Sequence, residues 1–183
     1  MPFTIAAICG SLRKGSYNKM LLNAAIAVCP EGATIDIVDI SELPPFNQDL
    51  EQTPPPSVVA LKAKVKDADG ILIATPEYNY GVPGVLKNAI DWASRPYGDS
   101  SWDGKTVAMM GASIGMLGTV RCQSQLRQVM HGAGAPCVQW PEIYVADATH
   151  KFDAQGNFTD EKGKEVVKEL LQALIDQANQ AKK

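Results

Sequence analysis

The sequence predicts an α/β fold: a doubly wound, five-stranded parallel sheet with helices on both faces. Three observations carry that prediction. Short β-rich runs alternate with longer segments of helical periodicity. The runs are almost continuously apolar, as expected of strands covered on both faces. Five such βα units follow one another in order, which specifies one parallel sheet between helical layers.

Phe3–Cys9 (FTIAAIC) is the first strand. A helix follows over about 18–28, with Leu21, Leu22, Ala25 and Ile26 in one stripe. Residues 34–38 (TIDIV) form the second strand. The stretch SELPPFNQDLEQTPPP holds five of the chain's 12 prolines and excludes regular structure. Too little chain precedes it to make a domain, so it reads as a long surface loop. Ser57 is expected to cap the next helix, which carries Val58, Leu61 and Val65 inward. Residues 70–75 (GILIAT) are the third strand, and PEYNYG leads to Pro83 and the helix PGVLKNAIDWAS. Residues 106–112 (TVAMMGA) are the fourth strand, followed by the loop SIGMLG and a helix through about Met130. Residues 135–140 are the expected fifth strand, with Ile143–Val145 as an extension beyond Pro141. A polar, turn-rich segment, KFDAQGNFTDEKG, precedes a last helix over about 160–178, with Val166, Val167, Leu170, Leu171, Leu174 and Ile175 inward. There is no internal repeat, and residues 1–183 are expected to form a single domain.

Composition narrows the function classes. Seventeen Lys and Arg against 20 Asp and Glu leave a formal charge of −3. That mild acidity argues against a nucleic-acid binder held by phosphate neutralisation. No apolar run reaches membrane-spanning length, and the N-terminus lacks the basic start of a secretory signal, so a cytoplasmic protein is expected. Cys9, Cys29, Cys122 and Cys137 form no C-x-x-C pair and read as reduced thiols. His131 and His150 have no partner at metal-ligand spacing, so no metal is expected.

In a doubly wound sheet, ligands bind beyond the carboxyl ends of the strands, where the strand order reverses. The loops after strands one, three and four are therefore the informative ones. Gly10-Ser11-Leu12-Arg13-Lys14-Gly15-Ser16-Tyr17-Asn18 joins a buried strand to a helix start. Unpaired backbone N–H groups and the positive end of the helix dipole suit a phosphate there. Ser11 and Ser16 add hydroxyls, Asn18 an amide and Arg13 a guanidinium fork. The NTPase loop is excluded because Ser16-Tyr17 stands where Lys-Ser/Thr is needed. The dinucleotide fingerprint fails at Leu12, where its second glycine belongs, which leaves Asp39 as a turn residue. The loop thus suits one terminal phosphate. Pro76-Glu77-Tyr78-Asn79-Tyr80-Gly81 offers backbone N–H groups and aromatic cover for a flat heterocycle, and Ser113-Ile114-Gly115-Met116-Leu117-Gly118 lets backbone approach a ligand closely. Together they fit FMN: one phosphate, a ribityl chain and a planar redox ring.

GSLRKGSYN, TPEYNYGVPGVLKNAIDWASR and ASIGMLGTVRCQSQLR, in that order, resemble the NADPH-dependent FMN reductase family, and within it the bacterial chromate and quinone reductase branch. The resemblance runs from Phe3 to about Val145 and departs from the family pattern at Thr119, where many relatives have glycine. It implies a flavodoxin-like fold, non-covalent FMN, and a homodimer or homotetramer. It implies that Ser11, Arg13, Ser16 and Asn18, with Tyr17, hold the phosphate end. It puts Pro76, Glu77, Tyr78 and Asn79 along the ribityl chain and ring, and Ser113 and Gly115 opposite. The implied reaction is ping-pong: NADPH or NADH gives a hydride to the flavin, leaves, and is replaced by a quinone, chromate, an azo compound or free flavin. Hydride transfer needs orientation and exclusion of water more than an acid–base group, so no obligate catalytic side chain is expected. Tyr78 and Arg121 are candidate substrate contacts, and Glu77 reads as a base candidate or a helix-end partner. An FMN-binding electron carrier of flavodoxin type is the alternative, although a charge of −3 gives little electrostatic steering toward a basic partner. The helix after Pro83 carries Val85, Leu86, Ala89, Ile90 and Trp92 around more than one face, which calls either for a partner subunit on the second face or for deep burial within one subunit.

Overall fold

A computed structural model describes residues 2–182. In chain order the elements are β1 (Phe3–Cys9), α1 (Tyr17–Ala27), β2 (Ala33–Val38), α2 (Pro56–Asp67), β3 (Gly70–Ala74), α3 (Gly84–Ala93), β4 (Val107–Ala112), α4 (Val120–Gly132), β5 (Ile143–Val145) and α5 (Glu161–Ala181). The strands form one parallel sheet in the order β2-β1-β3-β4-β5. This is the doubly wound, flavodoxin-like architecture expected, and its order reverses between β1 and β3.

The uniformly apolar strands are explained by two cores. Ile8, Ile71, Ile73 and Met109 pack against α2, α3 and α4 through Val58, Leu61, Leu86, Ile90, Leu126 and Met130. Ile5, Leu72, Ala74 and Met110 point the other way and meet Leu21, Leu22, Val167, Leu170 and Leu174 of α1 and α5. Neighbouring positions on one strand serve opposite layers, so neither can be polar.

The fifth strand differs from expectation. Residues 135–140 make a single bridge, Cys137 to Val107, and β5 is Ile143–Val145, paired with Met110–Ala112. Pro136 has no N–H to donate, and Trp140-Pro141 turns the chain before pairing resumes. The start of α2 also differs. Pro55 occupies the cap and Pro56 opens the helix, so Ser57 is not a cap. Pro56 suits that place because a first-turn N–H lacks an intrahelical acceptor.

The second face of α3 is covered by its own chain. Trp92 is buried, its Nε1 donates to Pro44 O at 2.8 Å, and Phe46 meets its ring edge-on at 5.0 Å between centroids. Asn88 donates to Pro44 O at 2.9 Å and accepts from Phe46 N at 2.7 Å. Arg95 Nε donates to Glu51 Oε1 at 2.6 Å further along. The proline-rich stretch, which includes a short 3₁₀ turn at Gln48–Leu50, is thus a docked cover. It covers the second face of α3, so burial within one subunit, and not a partner subunit, accounts for the apolar residues there.

Candidate active site

The loops after β1, β3 and β4 meet at the carboxyl edge of the sheet, and two glycines permit the approach. A Cβ on Gly10 would lie 3.0 Å from Thr75 Oγ1 and 3.2 Å from the Leu86 side chain. One on Gly111 would reach within 2.4 Å of Thr75 O and 2.1 Å of Thr119 Oγ1. Between the loops lies a cavity of about 470 Å³, lined by Ser11, Arg13, Ser16, Tyr17, Asn18, Pro76, Glu77, Tyr78, Ala112, Ser113 and Ile114. That volume is within the range of small-ligand sites.

The first loop makes the polar end. A turn closed by Ser16 N donating to Arg13 O at 3.1 Å carries the chain into α1. Ser16 caps that helix, its Oγ accepting from Asn18 N at 3.2 Å. No acidic residue lies in the first turn of α1, so its positive end is not neutralised locally. Ser11 and Ser16 are buried, while Arg13 extends over the Tyr17 ring with its Cζ 5.7 Å from the centroid. The Asn18 side chain also ties α1 to the end of β4. Its Nδ2 donates to Ala112 O and its Oδ1 accepts from Ala112 N, both at 2.9 Å. The third wall is held from behind by β5 and the segment after it. Ser113 N donates to Val145 O at 2.9 Å, Ala148 N donates to Ser113 O at 3.0 Å, and Ser113 Oγ accepts from Gly115 N at 3.1 Å.

The second loop supplies Pro76, Glu77 and Tyr78, and the Tyr78 hydroxyl lies 3.4 Å from Ser11 Oγ. The Glu77 carboxylate turns toward α4. Its Oε2 accepts from the Arg121 and Cys122 N–H groups at 3.0 and 3.1 Å, and its Oε1 accepts from Arg121 Nε at 2.7 Å. Two thiols lie behind the loops. Burial raises Cys9, and burial pushes Cys122 up to about 11, so both stay protonated and unreactive near neutral pH. Among the described residues, no group of His, Cys, Asp and Glu is arranged to hold a metal.

The profile of the NADPH-dependent FMN reductase family matches residues 3–150. The chain belongs to that family. As an FMN reductase family member it is 44% identical over 171 residues to an NAD(P)H-dependent FMN reductase of Pseudomonas aeruginosa, covering 93% of this chain and 92% of the relative. It is 43% identical over 176 residues to a 2-hydroxy-1,4-benzoquinone reductase of a Burkholderia species, covering 96% and 94%. Among solved structures it resembles the flavoenzyme NAD(P)H:(acceptor) oxidoreductase FerB of Paracoccus denitrificans, with a TM-score of 0.90, 36% identity and 98% of each chain covered.

In this FMN reductase the cavity gathers Ser11, Arg13, Ser16, Tyr17, Asn18, Pro76, Glu77, Tyr78 and Ser113. Asn79 and Gly115, expected beside them, lie outside the lining, as does Arg121, which is engaged with Glu77. The lining also includes Ala112 and Ile114, apolar residues with no chemical signature in sequence. Glu77 is a helix-end partner, and a signal for that role does exist. Helix α4 starts without an acidic residue in its first turn, and Thr119 makes no side-chain cap, its hydroxyl accepting instead from Gln123 Nε2 at 2.9 Å. A helix start so bare needs acceptors from elsewhere in the chain.

Proposed function

We propose that the protein holds one FMN in this cavity and catalyses NAD(P)H + H⁺ + quinone → NAD(P)⁺ + quinol. The observation that carries the reading is the pairing of two ends in one cavity. Two hydroxyls, a guanidinium and an uncompensated helix N-terminus share the cavity with Pro76, Tyr78 and Ile114. That donor set matches a ligand with a single dianionic phosphate and a planar ring. When bound, FMN supplies reversible two-electron chemistry between a nicotinamide and an acceptor.

Arg13, Ser11 and Ser16 bind the phosphate, with Tyr17 supporting the Arg13 fork. Asn18 holds α1 against the end of β4, so the phosphate end and the Ala112–Ser113 wall keep a fixed spacing. The backbone from Pro76 to Tyr78 would follow the ribityl chain and ring edge, with Asn79 just beyond the lining, and Ser113, held by the Gly115 N–H at 3.1 Å, would shape the opposite side. Nicotinamide and acceptor use the mouth beside Tyr78 in turn, which makes the kinetics ping-pong. Chromate, azo compounds and free flavin are further acceptors for so open a mouth. We place the enzyme in the cytoplasm as a homodimer or homotetramer. Its four free cysteines suit a reducing compartment.

Purified protein should be yellow, or become so with FMN, and heat should release FMN and not FAD. NADPH or NADH should bleach the bound flavin and a benzoquinone should restore its colour, with parallel lines in double-reciprocal plots. A flavin that neither nicotinamide bleaches would identify an electron carrier instead.

A further inference from the structure

The turn Tyr78–Gly81 is closed by reciprocal bonds, Gly81 N to Tyr78 O at 2.9 Å and Tyr78 N to Gly81 O at 3.3 Å. Its two central residues, Asn79 and Tyr80, both have left-handed backbone, with φ of 49° and 66°. Asparagine tolerates that conformation, but a tyrosine does not adopt it readily. Tyr80 gains no burial in return, being 64% exposed.

What holds it comes from α4. Gln125 Nε2 donates to Tyr80 O at 3.0 Å, and the Arg121 guanidinium carbon lies 3.6 Å from the Tyr80 ring centroid. Arg121 is fixed in turn by Glu77, through the side-chain bond at 2.7 Å. The Glu77 side chain is only 6% exposed, and the bonds described for its two oxygens all run to the first turn of α4. A chain of contacts therefore leaves the loop at Glu77, passes through Arg121 and returns to the loop at Tyr80. Strained backbone over-determined by its surroundings marks a segment whose shape matters.

We propose that Glu77 is a positioning residue, and neither a general base nor a ligand through its carboxylate. It ties α4 to the loop after β3 and, through Arg121, keeps Tyr80 in the left-handed turn. The backbone from Pro76 to Tyr78 then meets a flat ring already in shape. The inference rests on the flavin reading above and concerns the ring, not the phosphate.

The test compares FMN with riboflavin, which lacks the phosphate. Both are titrated into wild-type, Glu77→Gln and Arg121→Met apoprotein well below the melting temperature, and the visible spectrum of each bound flavin is recorded. Each substitution should weaken both flavins by the same factor, about tenfold for one lost charge-assisted bond. The bound spectra should shift toward that of free flavin. The double variant should bind no worse than the weaker single, because both substitutions cut one link. Arg121→Met leaves the backbone bonds to Glu77 in place, so it decides the matter even where Glu77→Gln fails to fold. Unchanged affinities and spectra with a lower melting temperature would reduce Glu77 to a helix cap and overturn the proposal. A loss confined to FMN would overturn it as well. Wild-type protein that binds neither flavin would overturn the flavin reading and this inference together; wild-type binding with unaffected variants overturns the inference alone.

Discussion

Among the described residues Arg13 is the one Lys or Arg lining the cavity, and it stands at the end of α1 that favours an anion. A charge-assisted hydrogen bond to phosphate contributes roughly 1.5–3 kcal/mol. Arg13→Ala should therefore weaken FMN binding by about 10- to 150-fold and riboflavin by less than about threefold. Titration of both flavins checks this; an equal loss would assign Arg13 to loop support, and no loss would leave the phosphate to Ser11 and Ser16. Cys122 gives a pH prediction. Burial raises its thiol from 9.0 to about 11, against a smaller lowering by the Thr75 hydroxyl. The folded state then keeps a proton that the unfolded chain gives up, so the contribution is intact below pH 9 and is lost as pH rises toward 11. Two pH units correspond to about 2 to 3 kcal/mol. Chemical denaturation across pH 8–11 should show a steeper loss for wild type than for Cys122→Ala.

At the scale of elements, α5 shows a helix start legible in sequence. Asp160 Oδ1 accepts from Gly163 N at 3.0 Å, and Lys151 Nζ donates to Oδ2 at 2.6 Å. The Lys151 ammonium, with the Gly163 N–H, holds this carboxyl below the usual range. Its contribution is present above pH 3.8 and disappears as pH falls through the lowered value. Asp160→Ala should cost about 1 kcal/mol in urea unfolding at neutral pH, and the difference from wild type should shrink below pH 3.8. Elements with strong local signals are readable in this way: the apolar strands β1, β3 and β4, the stripe of α5, the serine-rich turn before α1, and the α1 stripe except for Ile26, which is 42% exposed. What escaped depends on distant partners. Val138 and its neighbours have strand character, yet Pro136 and Pro141 limit their pairing, and the register of β4 selects Ile143–Val145 instead. The faces of α3 looked unpartnered because nothing local announces that Pro44 and Phe46 return to cover Trp92. Of the readings open for Glu77, base candidate and helix-end partner, the second is selected only by the docking of α4, 44 positions away in sequence.

For the whole molecule, no large apolar side chain of α3 is exposed, whereas several stand out from the loops around the cavity and Ile26, Leu50, Val59, Tyr97 and Trp140 are scattered elsewhere. Tyr78, Tyr80, Ile114, Met116 and Leu117 all stand out from the loops after β3 and β4. Such a cluster marks an interaction surface, and light scattering should give a mass of at least twice 19.6 kDa. A mass near 19.6 kDa itself would leave that surface to ligands alone. The Asn18 amide has a consequence for how fast the molecule fills. Two hydrogen bonds span from the first turn of α1 to Ala112, across 94 positions of sequence, and both partners belong to the chain itself. The spacing between the two ends of the cleft is therefore set when the polypeptide folds, and little conformational search is left for the moment of encounter. Association should accordingly follow one exponential phase whose rate rises in proportion to flavin concentration, without the plateau that a slow opening step would impose.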